Sequence, residues 1–362
     1  MNARPGSTWQ WQVQNRLTTP QDFAQAFGLG EDWQAFAQQA SSRLVLGVTP
    51  YYAQLCQAVP ALLKTILPDP QELVLAANET SDPMAEEATR PKAAIVRRYP
   101  NRALFLLCNQ CATYCRYCTR ARLVGDRAQQ LGKKQWQEGL DWLAQETEIE
   151  EVILSGGEPL MLSDARLEWI LEGLKKIPHL RFIRFSTKAL AVMPQRITPD
   201  LARLLGRFKP LLINAHFVHP CELTPQAAHA VELLLAQGIM VSSQSVLLKG
   251  VNHQTEILAA LFRELYYLGV RPYALYLCDW IAGASSFRGD LGEAQKIHGA
   301  LRQILSGPML PKLIADPPGG KAELSAQVLE GNQGYLLTDW QGKLVPYPKV
   351  SGPNEKQDPR FL

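Results

Sequence analysis

Residues 107–120 read LCNQCATYCRYCTR, and they place Cys108, Cys111, Cys115 and Cys118, four of the chain's seven cysteines, inside eleven residues. Three chemistries use thiols this crowded: a disulfide staple, a zinc clip and an iron–sulfur cluster. Zinc ribbons and fingers need two cysteine pairs separated by about a dozen residues or more, so that two knuckles converge. Only three residues separate the pairs here. Cys108 also closes the apolar run RALFLLC, where a thiol behaves as a small hydrophobe. Without it the spacing is Cys111-x3-Cys115-x2-Cys118, on the loop after an expected strand. Three thiolates hold three irons of a 4Fe–4S cluster and leave the fourth iron open for another ligand.

The composition narrows the setting. The chain has 362 residues, 46% of them hydrophobic, which suffices for a large core in one or two domains. Its net charge is +3, with no basic tract interleaved with aromatics, so neither a nucleic-acid nor an anionic-membrane partner is expected. The N-terminus MNARPGSTWQWQVQNRL has no apolar signal core, and no run is long enough to span a membrane. A cytoplasmic protein is expected, in which a disulfide framework is out of place.

Residues 1–95 read as a helical region with a linker: PQDFAQAFGLGEDWQAFAQQA and TPYYAQLCQAVPALLKTIL have apolar residues at three- and four-residue spacing. The polar, Pro-containing stretch 76–92 reads as a connection across a surface. Six apolar runs follow: RALFLLC, EEVILS, LRFIRFS, PLLINAHF, IMVSSQSVLL and PYALYLCD. Amphipathic patterns alternate with them, several opening on Ser or Thr caps and one closing on a glycine. Such alternation predicts an α/β fold with a parallel sheet, and a partial (βα)6 TIM-type barrel over residues 96–300. A Rossmann fold fits less well, because no G-x-G-x-x-G follows the first strand. Residues 301–362 add the run KLIAD, a Gly-rich turn and an expected hairpin, GYLLTDWQGKLVPYP. In parallel barrels catalytic residues lie on the loops after the strands. Those strand ends carry the cysteine loop, SGGEP, Ser186-Thr187-Lys188, His216, Gln244 and Asp279.

The cysteine spacing in that place resembles the radical S-adenosylmethionine (SAM) superfamily. The resemblance implies that Cys111, Cys115 and Cys118 hold the cluster and that SAM binds the open iron. Ser155-Gly156-Gly157-Glu158-Pro159, directly after EEVIL, resembles the superfamily's glycine-rich motif that contacts the methionine amino group. Glycines permit close backbone approach, and a carboxylate suits an ammonium.

A narrower resemblance follows. RRYPNRALFLL, YCRYCTRAR, LSGGEPL, SSQSVLLKGVN, YALYLCD and DPPGGK are similar, in order, to the lysine 2,3-aminomutases, from about residue 80 to the C-terminal region. It implies a pyridoxal phosphate (PLP) enzyme whose lysine anchor is Lys321, in the C-terminal segment. A lysine after a tight Gly-Gly turn can form a Schiff base where its surroundings lower its pKa. Arg98, Arg102 and Gln244 are implied to hold the phosphate, which suits guanidinium forks.

The resemblance also implies a substrate site. Arg120 takes the α-carboxylate of lysine, while Asp279 and Asp316 take the ε-ammonium. Related enzymes acting on glutamate replace these acids. The expected activity is therefore the interconversion of L-lysine and β-lysine, an isomerase reaction, with an electron donor such as flavodoxin or ferredoxin. Better-known members carry late cysteines for a structural zinc at a subunit interface; here the last cysteine is Cys278, so that site is not expected and a homo-oligomer rests on other contacts. Glu158 stands where Asp is common. Short relatives that modify a lysine of elongation factor P read Cys-Phe-Arg-Arg where this chain has Cys118-Thr119-Arg120-Ala121, which favours free lysine. Protein-linked lysine or another amino acid is the enzymatic alternative. A non-catalytic iron–sulfur or zinc protein is the alternative from another class, and it leaves Lys321, Asp279 and Asp316 unexplained.

Overall fold

The computed structural model describes residues 6, 8–324, 328–331, 334–338 and 343–349. Nine strands form one sheet in chain order: β1 (Ile95–Tyr99), β2 (Arg102–Cys108), β3 (Glu151–Gly156), β4 (Phe182–Thr187), β5 (Leu211–His216), β6 (Met240–Leu247), β7 (Arg271–Leu277), β8 (Lys312–Ala315) and β9 (Ala322–Glu323). Strands β2 to β8 are parallel, each to the next. The outer strands β1 and β9 are antiparallel to β2 and β8. Among the described residues the two sheet ends do not pair with each other, so the barrel is partial. The six runs expected as barrel strands are β2 to β7, and KLIAD supplies a seventh parallel strand.

Helices Lys133–Gln145, Asp164–Lys175, Pro199–Gly206, Pro225–Ala236, Thr255–Tyr267 and Leu291–Ile304 connect or follow these strands. Their apolar stripes explain their placement: Leu258, Leu261, Phe262 and Leu265 are buried on one face of Thr255–Tyr267, while Tyr267 on the other is exposed. Thr198 and Thr224 cap two helices, accepting from the backbone N–H of Leu201 (3.1 Å) and Ala227 (3.2 Å). The first barrel helix is drawn close to β2: a Cβ on Gly139 would lie 2.9 Å from the Phe105 ring, and the Trp136 indole donates to the Leu107 carbonyl at 2.9 Å. That bond fixes the end of β2, from which the cysteine loop departs.

The N-terminal region forms helices Trp9–Gln14, Pro20–Phe27, Glu31–Ala40, Pro50–Ala58 and Pro60–Leu63. Stretch 76–92 is more than the surface connection its polarity suggests. Glu79 is buried against the barrel, with its carboxylate accepting from Gly283 N at 3.0 Å and from Arg288 Nη1 at 2.9 Å. Thr80 exchanges backbone bonds of 2.9 Å with Trp280 and Ala282. The stretch reads as a surface connection because the partner of Glu79 lies 209 positions away in the chain. Near the C-terminus β10 (Val328–Gly331), β11 (Gly334–Thr338) and β12 (Leu344–Pro348) form a small antiparallel sheet. Strands β11 and β12 are the expected hairpin, with Leu337 opposite Val345, and its turn, 339–342, lies outside the described residues. No helix among the described residues is long and apolar enough to cross a membrane.

Candidate active site

A cavity of about 310 Å³ lies at the carboxyl ends of the parallel strands, within the size range of small-molecule sites. Its walls come from the loops after β2 (Cys111, Cys115, Cys118, Arg120), β3 (Gly156, Gly157, Glu158), β7 (Asp279) and β8 (Asp316, Lys321), together with Ser155 and Gln244. Gln244 sits inside β6, opposite His216 of β5, rather than at a strand end. Its side-chain carbonyl accepts from Asn214 Nδ2 at 2.9 Å, which leaves the amide N–H groups for a ligand. Arg98 and Arg102 lie outside the cavity lining.

The cysteine loop is built by its surroundings. Tyr114 N donates to the Gly47 carbonyl and Arg116 N to the Thr65 carbonyl, both at 2.9 Å. The Arg116 guanidinium is fully buried on the Glu72 carboxylate (2.5 Å), and Arg43 bridges Glu72 (3.0 Å) to the Arg116 carbonyl (2.8 Å). The N-terminal helical region therefore holds the loop from one side. The thiols of Cys111, Cys115 and Cys118 face the cavity and are pushed up by burial, Cys118 to about 11, and next by Cys118 and Cys115 for Cys111 and Cys118 respectively. Iron held there would keep the three as thiolates and offset their mutual repulsion. Cys108 is different. It is absent from the cavity lining, and its Sγ donates to the carbonyls of Glu158 (3.1 Å) and Gln110 (3.4 Å). Among the described residues no three His, Cys, Asp or Glu side chains converge on a point for a single metal ion. A four-iron cluster asks for another arrangement, one thiolate per iron.

The glycines have a closer partner than a ligand. Gly156 has φ +127°, and a Cβ there would lie 2.3 Å from the Cys108 carbonyl oxygen; at Gly157 it would lie 2.4 Å from that of Gln110. Only glycine lets the β3 loop fasten onto the cysteine loop, through Gly157 N to Cys108 O (2.7 Å) and Glu158 N to Gln110 O (2.8 Å). The Glu158 carboxylate is likewise engaged within the protein. It accepts from Thr187 Oγ1 (2.6 Å), Leu160 N (3.0 Å) and Lys188 N (2.8 Å), strapping the β3 loop to the end of β4.

At the other end of the cavity Lys321 is half-buried, with its backbone N–H donating to Tyr99 Oη at 3.0 Å and its ammonium 5.0 Å from the Tyr276 ring centroid. Schiff-base chemistry at this lysine asks for surroundings that lower its pKa. Burial does act in that direction, but the Tyr276 phenol and the Asp316 carboxylate outweigh it and hold the ammonium above the ordinary lysine range. The amine must give up its proton before it attacks a carbonyl. Asp279 is pushed up to about 8 by burial and by the neighbouring Asp316. Asp316 is itself paired with Arg98 (2.9 Å), whose guanidinium also donates to the Pro317 carbonyl (3.0 Å). Arg102 stacks on the Tyr99 ring, 3.9 Å from its centroid. The donor set fits the groups the sequence implies: three thiols at one end, a buried amine and a free amide at the other.

Sequence reading did not single out several residues of this site. Glu86 pairs with Arg120, Tyr99 and Tyr276 flank Lys321, and the buried Glu222 accepts at 3.0 Å from Lys188, a strand-end residue that the sequence did point to. Tyr117 Oη meets His216 Nε2 at 2.9 Å. Tyr117 sits between Cys115 and Cys118, so position alone could have flagged it; Glu86 and Glu222 carry no local signal.

Residues 105–261 match the radical SAM superfamily model. The L-lysine 2,3-aminomutase of Acetoanaerobium sticklandii is 33% identical over 346 residues, 94% of this chain and 84% of that protein. A putative L-lysine 2,3-aminomutase of Aquifex aeolicus is 36% identical over 94% of each chain. The glutamate 2,3-aminomutase of Clostridioides difficile is 34% identical over 94% of this chain and 82% of its own. The fold is that of a radical SAM enzyme. Within that class, the chain belongs to the lysine 2,3-aminomutase family. It is accordingly an isomerase that moves an amino group on a small molecule, with a 4Fe–4S cluster, SAM and PLP as cofactors.

Proposed function

We propose that the substrate is free L-lysine and the product β-lysine. The observation that carries this is the pair of acids, Asp279 and Asp316, in one cavity with Lys321. A carboxyl held up to about 8 by burial and a neighbouring carboxylate marks a place where a further anion is unwelcome. A lysine ε-ammonium relieves that strain, whereas the side-chain carboxylate of glutamate adds to it. When bound, SAM on the cluster supplies a radical that removes hydrogen, and PLP carries the migrating nitrogen. The protein's own residues do the positioning. Cys111, Cys115 and Cys118 hold the cluster, the Ser155–Glu158 loop holds SAM, and Lys321 anchors PLP with Gln244 toward its phosphate; Arg98 and Arg102 reach that phosphate only by leaving Asp316 and the Tyr99 ring. Arg120 receives the α-carboxylate, and Asp279 and Asp316 fix the far end. The reading also requires a one-electron donor of the flavodoxin or ferredoxin kind.

Stripping one carboxylate from a buried ammonium removes charge-assisted bonding worth about 2–5 kcal/mol. Asp279→Asn or Asp316→Asn should then lower kcat/KM for lysine about 30- to 4,000-fold, at about 1.4 kcal/mol per decade. SAM binding and the covalent Lys321–PLP link should survive in both variants. The pH dependence has a definite sign. Asp279 takes a cation as carboxylate, so kcat/KM for lysine should rise with pH up to a limb near 8, and Asp279→Asn should erase that limb. Parental turnover of free lysine by both variants would show that these acids do not read the side chain, and protein-linked lysine would be tested next.

A further inference from the structure

The three arginines of the cysteine loop all run into one acidic segment. Arg116 meets Glu72 (2.5 Å), Arg120 meets Glu86 (2.6 Å) and Arg122 meets Asp82 (3.1 Å). Of these arginines only Arg120 also lines the cavity. Its Nε and Nη2 donate to Glu86 at 2.9 and 2.6 Å, and Nη1 donates to Ser155 Oγ at 3.3 Å. A guanidinium has five N–H donors in a fixed plane. Glu86 grips the side fork made by Nε and Nη2, so the end fork made by Nη1 and Nη2 retains one N–H on each nitrogen. Glu86 itself is 2% exposed and is fixed by its backbone N–H on Asp82 Oδ1 at 3.1 Å. Burial opposes its ionisation, but Arg120 and Arg122 outweigh burial and keep its carboxyl below the usual range.

We propose that Glu86 is the positioning residue for substrate recognition: by tying the side fork of Arg120 it aims the end fork at the substrate's α-carboxylate, so the site selects a free α-amino acid over its amide. The inference rests on the aminomutase reading above. An arginine free to choose among rotamers loses that freedom on binding a ligand, whereas one held in advance does not. An end fork matches two carboxylate oxygens, and an amide offers it only one acceptor.

The test compares lysine with lysinamide as substrates of the anaerobically reconstituted holoenzyme, normalised to iron and pyridoxyl content. The parental enzyme should favour lysine by about 100-fold or more in kcat/KM, as expected when a site's donors are left unpaired. Glu86→Gln should lose about 10- to 100-fold on lysine, mainly through KM, and little on lysinamide, so that the preference collapses. Glu86→Asp keeps the charge on a shorter arm and should retain an intermediate preference. Equal losses on both substrates would assign Glu86 a merely structural role and overturn the proposal. A lower KM for lysine in Glu86→Gln would make Glu86 a competitor of the substrate and overturn it as well. Should Glu86→Gln not accumulate as folded protein, Glu86→Asp decides, and an unchanged preference in that variant sinks the idea. A parental enzyme that turns over no amino acid instead defeats the aminomutase reading, and this inference with it.

Discussion

Replacing Lys321 by alanine should abolish turnover, with a loss of about 1,000-fold or more in kcat, because the amine proposed to anchor the cofactor covalently is removed. In the parental protein borohydride should fix a pyridoxyl label on the peptide containing DPPGGK, and in Lys321→Ala that label should vanish. The raised lysine pKa adds a kinetic signature. The ammonium, held above its ordinary range by Tyr276 and Asp316 against the effect of burial, must deprotonate first, so covalent loading should quicken as pH rises. A label on another lysine would leave a radical SAM enzyme without its assigned anchor.

Serine at Cys115 should eliminate the cluster and with it all SAM cleavage, whereas serine at Cys108 should leave both intact. The contrast follows from what each thiol touches. Cys115 faces the cavity beside Cys111 and Cys118. Cys108 turns away from it and hydrogen-bonds to the Glu158 and Gln110 carbonyls, contacts that a serine hydroxyl can reproduce. Iron content, the visible spectrum and 5′-deoxyadenosine formation read the outcome. Equal loss of iron in the two variants would mean that Cys108 is a ligand and that the three-cysteine assignment is mistaken.

The barrel was legible because parallel strands buried on both faces leave continuous apolar runs, and RALFLLC, EEVILS and PLLINAHF each became a strand. The loops that line the cavity were legible because chemistry collects where such strands end. What stayed hidden depends on contacts between distant residues. Glu79 and Arg288, or Glu86 and Arg120, leave no periodic trace, so stretch 76–92 reads as a polar connection although it is pinned to the barrel and lines the site through Met84. The glycines of SGGEP were found, but their tightest constraint is the neighbouring cysteine loop. Likewise the Glu158 carboxylate is engaged by Thr187 and Lys188, and Asp316 by Arg98, pairings that no spacing announces.

The central claim is that this radical SAM aminomutase acts on free lysine, and one measurement addresses it most directly. The protein is purified without oxygen, loaded with iron, sulfide, PLP and SAM, reduced, and given equimolar L-lysine, L-glutamate and elongation factor P. The account predicts β-lysine from free lysine as the dominant product, with glutamate and protein-linked lysine unchanged. β-Glutamate as the main product, or an elongation factor P modified while free lysine is untouched, would contradict it.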